Sequence, residues 1–363
     1  MRRFGILCTI ALLSLSCQPG INEPQKPKNI ILLIGDGMGV SHIYAGLTAN
    51  QGKLSLERCT HYGFSKTHSA SHWVTDSGAG GTAISTGSKT YNGAIAVDTD
   101  SLPLKTILEY AEDKNLSTGL ISTSSITHAT PASFIAHNKA RGDYEGIAID
   151  FLKTEFDVVI GGGYDQFAKR SDSVNLLDEF IAKGYQIAQS MDEVAEVESG
   201  KLLALTAPVH NSRFSEGRGN MFPLATKKAI ELLSQNEKGF FMMAEGSMID
   251  WGGHANDAKY IVEEMIDFDK AIEVALDFAE ENKETLVLIT ADHETGGFGL
   301  NGFDSQVDTI AGGYTTGGHT GVMVPVLAYG PGAEEFVGIQ DNTDLFRKMM
   351  KLLNLNNESE EIE

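Results

Sequence analysis

Ile30 to Ile34, following Asn29, form an uninterrupted apolar run that stops at Gly35. A strand covered on one side alternates apolar and polar residues, whereas a run without polar breaks must bury both faces. Similar runs recur at Thr118 to Ile121, Val158 to Ile160, Phe240 to Ala244, Leu286 to Ile289 and Val324 to Tyr329. Interior strands of this kind belong to a largely parallel sheet, whose crossover connections place helices on the faces. The clearest helix runs from Asp257 to Glu281, where Ile261, Met265, Phe268, Ile272, Ala275 and Ala279 recur every three or four residues. Leu104 to Lys114 and Leu224 to Leu233 carry the same pattern. The expected fold class is therefore α/β, a large central, mostly parallel sheet with helices on both faces.

The 363 residues are 42% apolar and 21% charged, enough for a sizeable core. Thirty-nine glycines against 9 prolines favour tight turns within one compact body. No repeat of fixed period is present. Residues 162–219 are more weakly patterned and carry no candidate chemistry, so they read as an insertion covering one side. At the N-terminus, Arg2 and Arg3 precede an apolar stretch from Ile6 to Leu15 that is too short to span a bilayer. Ser14-Leu15-Ser16-Cys17 resembles a lipoprotein processing box. The resulting division is a signal peptide at 1–17, a polar tether at 18–28, one domain at 29–355 and an acidic tail at 356–363. It implies a periplasmic or cell-envelope location, with a lipid on Cys17 as the membrane attachment. With Cys8 in the signal and Cys17 at its end, Cys59 stands alone in the mature chain. It is expected to pack as a small hydrophobe.

A net charge of −21 argues against nucleic acid as a partner, because a polyphosphate needs a basic surface. It does not exclude a phosphorylated small molecule, since bound divalent cations can reverse the local field.

Several strand runs lead into acidic or imidazole residues. Ile34 leads to Asp36, Phe240–Ala244 to Glu245, Asp250 and His254, and Leu286–Ile289 to Asp292-His293. Open α/β sheets bind ligands beyond the carboxyl ends of their strands, so clusters far apart in sequence can converge there. Singly each is weak: Asp-Gly is usually a turn, and a lone histidine is usually a surface or satisfied core residue. Asp250 and His254 lie four residues apart just before the long helix, and His319 sits in a glycine-rich loop. Mixed histidine and carboxylate ligation suits zinc, whereas Asp36, Thr130 and Glu245 offer only oxygen, as magnesium prefers. In Thr75-Asp76-Ser77-Gly78-Ala79-Gly80-Gly81, Ser77 or Asp76 can be an ordinary N-cap, or Ser77 can be a hydroxyl at an anion-favouring helix N-terminus. Gly161-Gly162-Gly163 lacks the Gly-Lys-Ser/Thr ending of a phosphate loop and reads as a strand-exit turn.

Taken in order, Ile34-Gly35-Asp36-Gly37-Met38-Gly39, Val74-Thr75-Asp76-Ser77, Lys89-Thr90-Tyr91-Asn92-Gly93, His128-Ala129-Thr130-Pro131-Ala132, Glu245-Gly246 with Asp250 and His254, Thr290-Ala291-Asp292-His293, and His319-Thr320-Gly321 resemble the alkaline phosphatase family. The resemblance runs from about Lys28 to Leu355 and thins across 162–219. It implies an alkaline-phosphatase-like fold and hydrolysis of phosphate monoesters at alkaline pH through a phosphoseryl intermediate on Ser77. It also implies two Zn2+ ions, one on Asp250, His254 and His319 and one on Asp36, Asp292 and His293 with Ser77. A Mg2+ ion would lie on Asp36, Thr130 and Glu245. Arg141 matches the phosphate-clamping arginine. His128 and Trp251 occupy variable positions close to these ligands, where other members carry Asp and Lys or His respectively. The family's usual homodimer is a further implication.

Related chemistries fit less well. Phosphodiesterases and nucleotide pyrophosphatases of the superfamily share the two-zinc core but generally lack the oxygen-only third set. A sulfatase needs a Cys-x-Pro-x-Arg-like context that Ser77-Gly78-Ala79 does not supply. A serine hydrolase elbow, Gly-x-Ser-x-Gly, is absent around Ser77. A non-catalytic metal- or phosphate-binding lipoprotein could dispense with the serine that is present here.

Overall fold

The structure is a computed structural model that describes residues 26–304 and 309–355. The proposed signal, Cys17, most of the tether and the acidic tail lie outside these residues.

The strands in chain order are β1 (Asn29–Gly35), β2 (His61–Lys66), β3 (Ser117–Ser125), β4 (Val158–Gly162), β5 (Gln186–Ala188), β6 (Leu202–Leu205), β7 (Phe240–Gly246), β8 (Thr285–Thr290), β9 (Glu294–Thr295), β10 (Gly299–Asp304), β11 (Thr309–Gly313), β12 (His319–Thr320), β13 (Val324–Tyr329) and β14 (Gly338–Asp341). Ten of them form one sheet in the order β14-β2-β13-β8-β1-β7-β3-β4-β6-β5. All its pairings are parallel except those of β13, which runs antiparallel to both β8 and β2. β10 with β11 and β9 with β12 form two small separate ladders.

β1 lies at the centre and shows why its run has no polar break. Ile30, Leu32 and Ile34 enter the core on one face, while Ile31 and Leu33 enter the core on the other. The long helix spans Ala258–Asn282, and the Asp257 side chain caps it by accepting from the Lys259 and Tyr260 amides. Its Met265, Phe268, Ile272, Ala275 and Leu276 pack on the second face with Phe222 and Ala225 of the helix Met221–Leu233. Cys59 is 3% exposed, and burial pushes its thiol up to about 12, consistent with a packing role.

One expectation needs correction. Residues 162–219 do more than cover one side, because β5 and β6 extend the sheet at its edge. These strands are only three and four residues long, so they carry too little pattern to register as strands. The last predicted strand, β13, reverses direction, a property that apolar composition does not encode.

Candidate active site

Asp36, Glu245 and Asp292 lie at or just beyond the carboxyl ends of the adjacent central strands β1, β7 and β8, so their side chains emerge side by side at one end of the strands. Asp36 turns away from its strand through Gly37, whose φ is +71°. A Cβ there would stand 2.7 Å from Thr295 Oγ1 and 2.8 Å from Asp250 Cα, so the turn admits only glycine. Asp250 and His254 come from the short helix Met248–His254 that follows β7, and His319 from β12.

Ser77 opens the helix Ser77–Thr86 and is 2% exposed. The cap is Asp76, whose carboxylate accepts from the Ala79 amide at 3.0 Å, so the serine hydroxyl is released from capping. Ser77 Oγ lies 3.2 Å from His293 Nε2 and 3.5 Å from Asp36 Oδ2. The same His293 nitrogen is 3.5 Å from Asp36 Oδ1 and 3.4 Å from Asp292 Oδ2.

The side chains gather into three groups whose donor atoms lie within 4.8 Å of one another and could hold a metal ion. They are Asp250–His254–His319, Asp36–Asp292–His293, and Asp36–His128–Glu245. In the first, the His319 and His254 Nδ1 atoms meet the backbone carbonyls of Thr75 at 2.9 Å and Gly317 at 2.7 Å. A carbonyl only accepts, so each imidazole carries a proton on Nδ1 and turns its Nε2 inward, the nitrogen that would face a metal ion. Those two Nε2 atoms face each other at 3.2 Å, each within 3.5 Å of Asp250 Oδ1. Two imidazole nitrogens and a carboxylate oxygen converging on one point suit a cation between them, and without a metal the His254–Asp250 contact keeps a proton there. In the other groups, Asp36 Oδ1, Asp292 Oδ2, Glu245 Oε1, Thr130 Oγ1 and His128 Nδ1 are buried without a hydrogen-bond partner. Buried acceptors left unpaired are costly, and a cluster of them is the signature of a cation position. The residues present therefore fit divalent metal ions. His128 joins Asp36 and Glu245, adding a nitrogen to a set expected to be all oxygen.

Proton affinities reflect the same crowding. Burial, then Asp292, Asp250 and Glu245, hold the Asp36 carboxyl well above the usual carboxylate range. Burial lifts Glu245 to about 7 against hydrogen bonds that include one from Ser122 Oγ at 2.6 Å. Burial and Asp250 lift Asp292 to about 6. Asp250 moves the other way, since the His254 hydrogen bond and its imidazole neighbours outweigh burial, and His254 rises to about 9 in return. Burial, with Arg141 nearby, lowers His128 to about 3.

Arg141 reaches the site from the loop after the short helix Ala129–Ala132 that carries Thr130. Its Nη1 donates to Asp76 Oδ2 at 2.9 Å and its Nη2 lies 3.5 Å from His128 Nε2. Burial raises the Asp76 carboxyl, but Arg141 and the Ala79 and Gly93 amides hold it below its ordinary value. Asp76 thus ties the arginine to the start of the helix beside Ser77, a role beyond that of a cap. Trp251 sets its ring 6.3 Å from that of His128 and 5.0 Å, at right angles, from His210. His210 lies in the stretch that was read as carrying no chemistry. Its Nδ1 accepts from the Ser125 amide at 3.1 Å, and its ring stands 5.7 Å from His128. A solitary histidine in an unpatterned segment gives no local signal of such a position.

Known proteins resemble the chain along most of its length. The alkaline phosphatase family matches residues 27–313 and 304–355. Alkaline phosphatase 3 of Bacillus subtilis is 35% identical over 416 residues, covering 91% of this chain and 89% of its own. The solved structure of alkaline phosphatase from the Antarctic bacterium TAB5 superposes with a TM-score of 0.88 at 42% identity, covering 92% of this chain and 100% of that one. A histidine-to-aspartate variant of the TAB5 enzyme, described with Mg bound in its M3 site, matches with a TM-score of 0.87 at 42% identity over the same shares of the two chains. Matched by the family from residue 27 to residue 355, and by an individual member over 91% of its length, the chain belongs to the alkaline phosphatase family.

Proposed function

We propose that this phosphomonoesterase of the alkaline phosphatase family works through Ser77 as its nucleophile. The observation that carries the reading is the position of Ser77 Oγ, 3.2 Å from His293 Nε2 and 3.5 Å from Asp36 Oδ2, among buried carboxylate oxygens that have no partner. Asp250, His254 and His319 would hold one zinc ion, and Asp36, Asp292 and His293 a second, because both sets mix nitrogen and oxygen donors. Asp36, Thr130 and Glu245 would hold magnesium with His128 beside them, because three oxygen donors suit that ion. When bound, these ions supply the positive charge that favours the Ser77 alkoxide and offsets the acidic ligands.

The chain's own groups do the rest. Ser77 Oγ attacks phosphorus in line with the ester oxygen, the Oγ–P bond forms as the P–O bond to the leaving group breaks, and the departing alkoxide takes a proton from solvent. Water then attacks the phosphoseryl phosphorus, which frees phosphate and returns Ser77. Arg141, aimed by Asp76, binds two non-bridging oxygens with its planar fork, and the amides at the start of the helix Ser77–Thr86 favour the same negative charge. Trp251 offers an aromatic edge where a basic side chain would otherwise touch phosphate.

Purified protein is expected to release phosphate from an aryl phosphate monoester at alkaline pH faster than from the matching diester, with zinc present in the same sample by metal analysis. Faster diester turnover would instead assign a phosphodiesterase of the same superfamily. Arg141→Ala should weaken competitive inhibition by inorganic phosphate about 10- to 100-fold, the worth of charge-assisted hydrogen bonds, and leave measurable turnover. An unchanged inhibition constant would remove Arg141 from the phosphate site. Residues 1–17 support export with a lipid on Cys17 and hence an envelope location, which metabolic labelling with a fatty acid and a Cys17→Ala control would test. Homodimerisation is part of the same proposal and is read by sedimentation.

A further inference from the structure

The His319 ring is held by the Thr75 carbonyl at 2.9 Å and stacks on His293, but its backbone is weakly supported. It lies on β12, a two-residue strand that, among the described residues, pairs only with two-residue β9. Gly317, Gly318 and Gly321 flank it, and Gly296 and Gly297 follow its partner strand with φ of +91° and +53°. A ladder this short, set in permissive backbone, does little to fix a side chain.

One side chain adds the missing constraint. Glu294 is 5% exposed and immediately follows His293. One of its carboxylate oxygens accepts from the Thr320 hydroxyl, next to His319, and the other accepts from the Phe298 amide at 2.9 Å. Thr320 is also its register partner across the ladder, so the side-chain bond reinforces the strand pairing. The loop after Asp36 closes against the same side chain, where a Cβ on Gly39 would stand 2.6 Å from Glu294 Cγ. A single buried carboxylate therefore touches the segments that present Asp36, His293 and His319. Because side chains alternate across a strand, it does so from the side of the ladder opposite His319, and it points at none of the three groups.

We propose that Glu294 is a positioning residue that clamps the His319 strand to the His293 strand and so sets how tightly the Asp250–His254–His319 group retains its metal ion. The inference rests on the reading above that this group takes zinc. Partners of this kind, one step removed from a ligand, typically change metal affinity 10- to 100-fold.

The test loads the full chain with zinc, transfers it to an excess of a chromogenic chelator and follows the release. The release phase that disappears in His319→Ala belongs to the first group. Glu294→Ala should speed that phase about 10-fold or more and leave the other phase unchanged. Thr320→Val, which removes the clamp from its other end, should act in the same direction. Glu294→Gln should restore slow release, because its amide has the same length: Oε1 can still accept from Phe298 while Nε2 donates to a turned Thr320 hydroxyl. In Glu294→Ala, excess zinc should recover kcat with KM unchanged. An unaltered first-group phase in a folded Glu294→Ala would overturn the proposal, and so would equal acceleration of both phases, which signals general loosening. If wild-type protein shows no His319-dependent phase, the zinc reading itself fails. That result is distinct from a wild-type-like Glu294→Ala.

Discussion

Ser77→Ala is expected to lower kcat for an aryl phosphate monoester by roughly 10,000-fold or more, the scale seen when a covalent nucleophile is deleted. The substitution removes one oxygen and little else. Asp76 caps the helix Ser77–Thr86, so its first turn does not depend on the serine hydroxyl. The orphaned oxygens of Asp36, Asp292 and Glu245 also remain where they are. Folding and metal content should therefore match the parent protein, and loss of turnover can be assigned to the missing nucleophile. Acid quenching of wild-type protein with labelled phosphate should trap a phosphoseryl adduct on the peptide containing Ser77, and the alanine variant should trap none. Retention of activity within about tenfold would mean that water attacks phosphorus directly and that Ser77 is only a neighbour.

Metal removal should have the second largest effect, abolishing turnover until zinc is returned, and its pH dependence has a definite sign. In the metal-free fold, burial holds Asp292 up to about 6, Glu245 up to about 7 and Asp36 well above the carboxylate range, while Asp250 holds His254 up to about 9. Groups with raised values carry protons in the mildly acidic range, and a cation must displace them. Buried His293 and His128, whose values are lowered, are already neutral and release nothing. Apparent zinc affinity should therefore rise between about pH 6 and about pH 9 and level off beyond. Proton release per ion should be largest at the acidic end. Calorimetry in buffers of different ionisation enthalpy measures that release directly. Affinity independent of pH across this range would show that the carboxylates are not the groups the metal displaces.

The two expectations differ in what they depend on. Nucleophile loss tests one atom, while metal release tests a set of acceptors whose convergence creates the local field. A chain of net charge −21 can receive an anionic phosphate ester only if that field is reversed at the site. Arg141 contributes to the reversal, although Asp76 at 2.9 Å takes up part of its charge.

Contiguous residues carried much of this protein's chemistry in readable form. The unbroken run Ile30–Ile34 announced a strand covered on both faces, and β1 feeds both cores. Asp36, Glu245, Asp250 and Asp292 were legible because each closely follows an apolar run, and open sheets gather their sites at strand ends. Periodicity found the helix Ala258–Asn282 within a residue at either end, because an amphipathic stripe that long is written locally.

Contacts between distant segments had no such local trace. The amino-acid order offers Asp76 or Ser77 as a cap without deciding between them, and leaves the bond from Arg141 to Asp76, 65 residues apart, unspoken. It leaves His210 a solitary imidazole in a weakly patterned stretch and Glu294 an unremarked neighbour of His293. The reversed direction of β13 and the short edge strands β5 and β6 were equally silent, since residue type records burial and not strand direction. Which atoms chain order can name depends on signals carried within a few turns of backbone. Which atoms come within 4 Å of one another depends on how the whole sheet is wound, and only the folded chain settles that.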